Sequence, residues 1–248
     1  MKDKISIICV TLNAESTIER TIQSVINQTY QNIEFIVIDG LSNDNTINII
    51  NKYTAHISYF VSERDAGIFD AMNKAIDIST GDWLYFIGSD DYLYTNDVLT
   101  KIFNNDNSKY DIIIANTIWD KTKIQKSRID YMILFLNTIH HQGAIYRRYL
   151  FDDFRYDKKY NVSSDYELNL IIYLRKHHYV YYDFIICCYS TYGTSGKSKF
   201  VGYRNEMRLR SRNIKNVPLK IALNIQTILR FCVKNIFYFF GIKLRYTN

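Results

Sequence analysis

The chain has 248 residues, 47% of them hydrophobic, which is enough for a substantial buried core and excludes disorder along the whole chain. The formal net charge of +6 is unevenly distributed, because residues 1–196 contain 19 basic and 24 acidic side chains whereas residues 197–248 contain 12 basic side chains and one acidic. The four cysteines have no CxxC spacing and the amino terminus has no signal-peptide pattern, so we expect a reducing compartment, the cytoplasm.

Strand and helix patterns alternate through the first hundred residues. Three short apolar runs are each followed by a polar break and an amphipathic helix, and in the first helix Ile18, Ile22 and Val25 have the spacing of a helix that lies on a sheet. Such alternation indicates βαβ units, and therefore an α/β fold with a mostly parallel sheet flanked by helices. The predicted strands are 5–10, 33–38, 57–61, 83–87 and 111–115, and the predicted helices begin near 18, 47, 68, 131 and 166.

Polar side chains follow each of the first four predicted strands. Because parallel strands end at the same edge of a sheet, these side chains should line one cleft, where open α/β sheets bind ligands. Neither a GxxxxGK[ST] nor a GxGxxG phosphate motif occurs there, which gives little support to an ATPase or a nicotinamide enzyme. The polar residues are Thr11 and Asn13, then Asp39 and Ser42, then Glu63, Arg64 and Asp65, then Asp90 and Asp91.

Asp90 and Asp91 end the apolar run of the fourth strand. Two adjacent carboxylates repel each other unless a cation or hydrogen-bond donors compensate, and hard oxygen ligands favour Mg²⁺, Mn²⁺ or Ca²⁺ over zinc. Taken alone, the pair is equally typical of an Asp-Asp turn after a strand.

The order of these motifs resembles family 2 glycosyltransferases. The motifs are Thr-Leu-Asn (11–13), Ile-Asp-Gly-x-Ser-x-Asp-x-Thr (38–46), Asp-Ala-Gly-Ile-Phe-Asp-Ala-Met-Asn-Lys-Ala (65–75) and Gly-Asp-Trp-x-x-Phe-x-x-x-Asp-Asp (81–91). The resemblance covers residues 5 to about 100 and implies the Rossmann-like GT-A fold. It implies that the nucleotide or donor sugar is held by Thr11, Asn13, Asp39 at the base, Ser42, Arg64, Asp65 and Asp90, and a metal ion, Mn²⁺ or Mg²⁺, by Asp91.

Two positions depart from the pattern of the family. Gly88 stands where the common Asp-x-Asp metal motif has its first acid, which leaves Asp90 and Asp91 to bind the metal. Asp39-Gly40-Leu41 replaces the frequent Asp-Asp-Gly, although the leading Asp is retained.

The second half should supply the acceptor site. Residues 161–168 resemble the acidic segment of the family that precedes an apolar helix, which makes Asp165 the candidate base and Glu167 its rival; Asp165 could instead cap the helix. His141 lies in a segment that resembles the His-Gln segment before the acceptor region, although a histidine there could equally bond a backbone carbonyl in the core. Tyr192-Gly-Thr-Ser195 resembles a small-residue loop that closes over the diphosphate, and nearby Lys197 could add positive charge.

We divide the chain into a GT-A domain, 1–196, with a nucleotide-sugar half (1–100) and an acceptor half (101–196), and a basic amphipathic C-terminal helical extension, 197–248. The extension is too interrupted by charge to span a bilayer, and its cations and aromatic residues suit an anionic membrane surface. A helix pair packed on the domain is the alternative. Nucleic acid is not expected as a partner, since no recognition motif accompanies the basic residues.

The resemblance predicts an inverting, metal-assisted glycosyltransferase that uses a nucleotide-diphosphate sugar, with UDP as the expected nucleotide. A carbohydrate acceptor, lipid-linked in capsule, O-antigen or exopolysaccharide synthesis, would place the enzyme at the inner face of the cell membrane as a peripheral protein. The missing acid at position 88 leaves a non-catalytic nucleotide- or glycan-binding member as an alternative. A nucleotidyltransferase would need a glycine-rich basic loop near residue 12, which is absent from the sequence.

Overall fold

Nine strands form one mixed sheet in the computed structural model, which describes residues 2–119, 122–159, 164–190 and 200–239. The strands are β1 (Ile5–Thr11), β2 (Ile33–Asp39), β3 (Tyr59–Ser62), β4 (Trp83–Gly88), β5 (Tyr92–Leu93), β6 (Ile112–Trp119), β7 (Lys123–Gln125), β8 (Ala144–Arg147) and β9 (Tyr179–Tyr189). The α-helices are α1 (Ile18–Ile26), α2 (Thr46–Asn51), α3 (Ile68–Ile78), α4 (Val98–Phe103), α5 (Ser164–Leu174), α6 (Phe200–Asn213) and α7 (Val217–Phe239). The strand order is β3-β2-β1-β4-β8-β6-β9-β5, with β7 paired to β6.

The first half is the predicted parallel sheet. β3, β2, β1 and β4 pair in parallel, and their register places Thr11 beside Asp39 and Asp39 beside Ser62. The side chains of β1 are buried on both faces of the sheet, as expected for a strand covered by helices on either side. The carboxyl ends of these strands therefore meet at one edge.

The second half is mixed rather than parallel. β8 pairs antiparallel with both β4 and β6. β7 also pairs antiparallel with β6, from which it is separated by three residues, too few for the crossover that parallel pairing requires. β9 runs parallel to β6, and its end pairs antiparallel with the two-residue strand β5. Because β5 begins directly after Asp91, this pairing holds the Asp90-Asp91 turn between the two halves of the sheet.

Two hydrophobic cores lie on the two faces of the sheet. One contains Ile18 and Ile22 of α1 together with residues of α2 and α4, and the other contains residues of α3 and α5. Both cores include strands from each half of the chain, so the sheet and its cores continue across residue 100. The predicted α/β architecture is confirmed.

The C-terminal helices pack on the body. Within the predicted extension, α7 contacts α6, which contacts α5. Arg210 of α6 is completely buried and donates to the Tyr166 hydroxyl of α5 at 3.0 Å. Within the described residues, none of the helices has the length and hydrophobicity needed to cross a membrane.

Candidate active site

Asp39 organises the loops at the edge of the parallel strands. Its carboxylate is fully buried and accepts hydrogen bonds from the backbone N–H of Ser42 at 2.9 Å, from the Ser42 hydroxyl, and from the Ser62 hydroxyl at 2.6 Å. The Ser42 hydroxyl in turn accepts from the backbone N–H of Asn13 at 2.8 Å. One carboxylate thereby fixes the chain after β1, β2 and β3. Asp39, Ser42 and Asn13 are brought together as predicted.

The same edge carries an apolar rim and an unpaired hydroxyl. Leu12 and Leu41 are 57% and 58% exposed, and Leu41 has a φ of 68°, a left-handed conformation that leucine rarely adopts. Beneath them, the hydroxyl of Thr11 is buried without a hydrogen-bond partner among the described residues. A buried unpaired hydroxyl costs about 1–3 kcal/mol unless a ligand satisfies it. Together these residues can receive a flat ring with a polar edge.

The loop after β3 lies against Gly40. A Cβ atom at Gly40 would lie 2.7 Å from Oδ2 of Asp65, so this residue must be glycine for the Asp65 carboxylate to occupy its observed position. The other oxygen of Asp65 accepts from the backbone N–H of Gly67 at 2.8 Å. Arg64 is exposed beside it. The departure from Asp-Asp-Gly thus corresponds to a close contact between the second and third loops.

Asp91 is the most strongly perturbed carboxyl of the edge. It is only 2% exposed; Oδ1 accepts from the backbone N–H of Ser190, and Oδ2 accepts from the backbone N–H of Gly88 and from Nε2 of Gln142, all at 3.0 Å. Burial, and then the neighbouring charge of Asp90, raises the pKa of Asp91 to about 6, although the three hydrogen bonds oppose the shift. An ionised carboxylate held in this way attracts a cation.

Gly88 makes room for both carboxylates of the turn. A Cβ atom at this position would lie 2.6 Å from Oδ2 of Asp91 and 3.0 Å from Oδ1 of Asp90. A side chain at this position would require the Asp91 and Asp90 carboxylates to shift, so their observed positions depend on Gly88. The gathered carboxylate oxygens fit Mg²⁺ or Mn²⁺. Since the described part of the chain contains no cluster of three or more His, Cys, Asp or Glu residues, further ligands would come from substrate and water.

Helix α1 holds the Asp90-Asp91 turn from the other side. The hydroxyl of Thr21 donates to the carbonyl oxygens of Ser89 (3.0 Å) and Asp91 (2.6 Å), and the guanidinium of Arg20 donates to the carbonyl oxygen of Asp90 at 2.8 Å. These bonds fix the backbone of the turn from which the two carboxylates project.

Gln142 joins the two halves of the site, and the sequence prediction missed it. Its side-chain amide donates to Asp91, and its backbone carbonyl oxygen accepts from the Tyr85 hydroxyl at 2.8 Å. The turn that carries it packs closely on β6, since a Cβ atom at Gly143 would lie 2.8 Å from the carbonyl oxygen of Ala115. The position of Gln142 next to His141 in the His-Gln segment is the sequence feature that could have identified it as a site residue.

His141 lies between Gln142 and Asp165. Its ring stacks on Phe86 with 5.1 Å between centroids, and both ring nitrogens are buried without a partner among the described residues. The alternative of a bond to a backbone carbonyl is therefore not observed. Burial lowers the pKa of His141 against the opposing charge of Asp165, so the imidazole is neutral at pH 7. The hydroxyl of Tyr156, which the sequence prediction did not single out, is likewise buried and unpaired within the described structure.

Asp165 is the second residue of α5 and is partly exposed. Its Oδ2 accepts from the side-chain amide of Asn137 at 2.9 Å, and the Asn137 oxygen accepts from the Asn169 amide at 3.1 Å. Asn169 also accepts from the Tyr146 hydroxyl at 2.9 Å. A continuous hydrogen-bond network thus orients the Asp165 carboxylate, which carries out no helix capping among the described contacts.

Glu167 faces a different part of the molecule. It is 3% exposed, accepts from the side-chain amide of Asn213 at 2.9 Å, and lies 3.6 Å from the guanidinium of Arg212, both on α6. Its contacts therefore tie α5 to α6. The other two predicted site residues, Ser195 and Lys197, lie outside the described residues.

Helix α3 connects the donor-side motif to the acceptor half. The side chain of Asn73 makes two hydrogen bonds with the backbone of Tyr156, at 2.8 and 2.9 Å, and Asp70 forms an ion pair with Lys158. The Asp-x-x-Asn part of the third motif is thus a structural link that holds Tyr156 in the cluster beside Asp165.

The family model described as "Glycosyl transferase family 2" matches residues 6–189 of this chain. A "PGL/p-HBAD biosynthesis glycosyltransferase" of Mycobacterium bovis is 32% identical over 173 residues, which is 66% of this chain and 68% of that protein. The "UDP-Glc:alpha-D-GlcNAc-diphosphoundecaprenol beta-1,3-glucosyltransferase WfaP" of Escherichia coli is 37% identical over 99 residues, 40% of this chain and 39% of the relative.

Solved structures share the fold. Residues 1–349 of Staphylococcus aureus TarS superpose with a TM-score of 0.74 at 20% identity, covering 97% of this chain and 76% of that one, and the same fragment has been solved with UDP. The mannosyltransferase PcManGT of Pyrobaculum calidifontis, in complex with GDP-Man and Mn²⁺, gives a TM-score of 0.66 at 15% identity, covering 95% and 76%. At these identities the likeness extends to the architecture alone.

Proposed function

This chain belongs to glycosyl transferase family 2, and we propose that it is an inverting glycosyltransferase that moves a sugar from a nucleotide-diphosphate sugar to a lipid-linked saccharide. The observation that carries the proposal is the pairing of two differently held carboxylates. Asp91 is buried at the donor edge, and Asp165 is oriented by Asn137 on the acceptor side. Gln142 donates to Asp91, and the adjacent residue in the chain, His141, is close enough to Asp165 for that charge to act on its pKa.

UDP is the proposed donor nucleotide. The exposed side chains of Leu12 and Leu41 would pack against the base. The Thr11 hydroxyl, which is unpaired among the described residues, would hydrogen-bond to the polar edge of the base. Asp39 uses three acceptor positions of the roughly four that a carboxylate offers, which leaves one for a base N–H. The relative from Escherichia coli that uses UDP-Glc and the TarS complex with UDP support this choice of nucleotide.

The diphosphate would lie at the Asp90-Asp91 turn. Asp91 would bind Mn²⁺ or Mg²⁺, which when bound supplies positive charge for the departing diphosphate. Asp90, which projects from the same turn, would bond to the ribose or sugar, and Asn13, Arg64 and Asp65 would line the donor.

Asp165 is the proposed base. It would accept the proton of the acceptor hydroxyl while that oxygen forms a bond to the anomeric carbon and the bond to the diphosphate breaks, a single displacement that inverts the configuration. Neutral His141 and the Tyr156 hydroxyl, both unpaired in the described structure, would bond to hydroxyls of the acceptor. Glu167 is a weaker candidate because Asn213 and Arg212 already occupy it.

The acceptor would be a saccharide on a lipid carrier, used at the inner face of the cell membrane in the synthesis of a surface polysaccharide. The relative whose name specifies a diphosphoundecaprenol acceptor supports this class. A non-catalytic member of the family, which Gly88 suggests, would bind the nucleotide without enhancement by metal and would not transfer the sugar.

The proposal is tested in two steps. Thermal unfolding with UDP, GDP, CMP or dTDP, each with and without Mn²⁺, should give a metal-dependent rise with one nucleotide, on the order of 5–10 °C at a hundredfold excess over Kd. Asp165→Asn should then abolish transfer while keeping that rise, and Glu167→Gln, the same chemical change two residues along α5, should retain transfer. Wild-type transfer by Asp165→Asn would refute the assignment of the base.

A further inference from the structure

The outward face of α7 is almost entirely apolar. Between Val217 and Phe237, Asn235 is the only exposed residue of the helix that is not apolar. A helix of 23 residues is about 35 Å long, so the face extends well beyond the single exposed apolar residues that are normal on a soluble surface. The face consists of Val217, Pro218, Leu219, Ile221, Ala222, Ile225, Ile228, Leu229, Cys232, Val233, Ile236 and Phe237.

The polar side of α7 is turned inward, opposite to the arrangement on an ordinary surface helix. Thr227 is fully buried and accepts a hydrogen bond from the Arg210 guanidinium. Arg230 donates to the carbonyl oxygen of Phe135 at 3.1 Å and pairs with Glu206. These contacts clamp the helix to the body and fix which side it presents outward.

Charge accompanies the apolar face. Residues 200–239 contain eight Lys or Arg residues and one acid, Glu206. Arg204, Arg208 and Lys215 are exposed on α6 and on the connection that leads into α7. Paired helices in a coiled coil fix their register with polar or charged residues that flank the seam. In α7, by contrast, Arg230 pairs with Glu206 and Lys234 lies over the ring of Tyr203, both on α6. An anionic lipid bilayer matches both the apolar face and the exposed cations. Its hydrocarbon layer accepts the apolar side chains, and its head groups attract the cations.

We propose that the outward face of α7 inserts into the surface of an anionic lipid bilayer, so that the enzyme binds the membrane as a rigid body with its C-terminal helix as the contact. The helix would lie in the plane of the interface, with its apolar side chains below the head groups and the cations of α6 near them. This proposal extends the proposed function, and it depends on that function only for the lipid-linked acceptor.

The test measures the binding of the full chain to vesicles of phosphatidylcholine with and without phosphatidylglycerol by co-sedimentation. Ile225→Ser removes an outward side chain that is 53% exposed, and Ile124→Ser removes one that is 55% exposed on β7, far from α7 in the chain. We expect Ile225→Ser to weaken binding about tenfold and Ile225→Ser/Ile228→Ser about a hundredfold, while Ile124→Ser binds like the wild type. Omitting the anionic lipid should weaken all of them.

Equal binding by Ile225→Ser/Ile228→Ser and the wild type, or no binding by the wild type, would overturn the proposal. Sedimentation velocity without lipid gives the competing outcome: a wild-type dimer that Ile225→Ser/Ile228→Ser converts to monomer would assign the face to a second copy of the chain instead. The nucleotide-dependent rise in unfolding temperature is measured on the same variants. Its retention separates loss of lipid binding from failure of the proposed donor site.

Discussion

Asp91→Asn should make the stability of the metal-free protein less dependent on pH. In the folded protein, burial and the charge of Asp90 raise the pKa of Asp91 to about 6 from an ordinary value of 3.8. A group whose pKa is raised by folding supports stability fully below its unfolded pKa, and this support is lost as pH rises through the folded pKa. Ionised Asp91 therefore destabilises the fold at neutral pH, whereas an asparagine at this position cannot ionise and has no such effect.

The magnitude follows from the shift. Two pKa units correspond to about 3 kcal/mol, of which about 2 kcal/mol develops between pH 4.5 and pH 7.5. The substitution also leaves a backbone N–H, of Ser190 or of Gly88, facing an amide that cannot accept from it, a loss of about 1–3 kcal/mol that does not depend on pH. The test therefore depends on how the stability difference between variant and wild type changes with pH. Its value at a single pH does not test the account.

The assay is thermal unfolding of wild type and Asp91→Asn with a chelator across this pH range. At 2–4 °C per kcal/mol for a chain of this size, the difference in melting temperature, variant minus wild type, should grow by about 4–8 °C from pH 4.5 to pH 7.5. Asp90→Asn serves as the matched control, and should reduce the slope of the wild type without abolishing it, because its charge is the second cause of the shift. A difference that stays constant with pH would refute this account of Asp91.

Three further substitutions test the contacts around the site. Gly88→Ala displaces the Asp91 carboxylate and should lower activity on the order of a hundredfold. The manganese-dependent part of the rise in unfolding temperature with nucleotide should also be lost. If that rise is unchanged, the turn tolerates a side chain at position 88. Gln142→Ala removes a hydrogen-bond donor that lowers the pKa of Asp91. The acid limb of the pH profile of kcat/KM should therefore move to higher pH by as much as about one unit. A movement to lower pH, or none, would contradict the contact. Arg210→Met removes the fully buried guanidinium that donates to the Tyr166 hydroxyl and pairs with Glu206. It should destabilise the protein by roughly 3 kcal/mol, with kcat reduced more than KM is changed, whereas Arg210→Lys should recover part of both.

The donor half of the fold could be predicted from the sequence because local pattern and global arrangement coincide there. Each buried parallel strand is a continuous apolar run, and its polar residues necessarily emerge at the shared edge. Thr11, Asn13, Asp39 and Ser42 were grouped correctly on this basis. The strand ends alone did not reveal that the Asp39 carboxylate lies at the centre of this group and bonds to several of its members. The Ser62 hydroxyl reaches Asp39 only because of the register of β2 against β3.

The acceptor half was less predictable because its contacts join distant parts of the chain. β8 has four residues and β5 has two, too few to produce a recognisable periodicity, yet they position the His141 turn and the Asp90-Asp91 turn. Gln142 meets Asp91 across 51 residues, and Asn137 meets Asp165 across 28. The resemblance to the family named Asp165, but its orienting network could not be inferred from any local pattern.

Gly88 can be interpreted in two ways, one from the motif and one from the fold. By motif comparison it is a lost ligand, and it was the reason to consider a protein without catalysis. In the fold, the space that a side chain at position 88 would fill is taken by the two remaining carboxylates, and the backbone N–H of Gly88 is one of the donors that hold Asp91. A single buried carboxylate with fixed donors has its geometry set before a cation arrives, so less reorganisation accompanies binding.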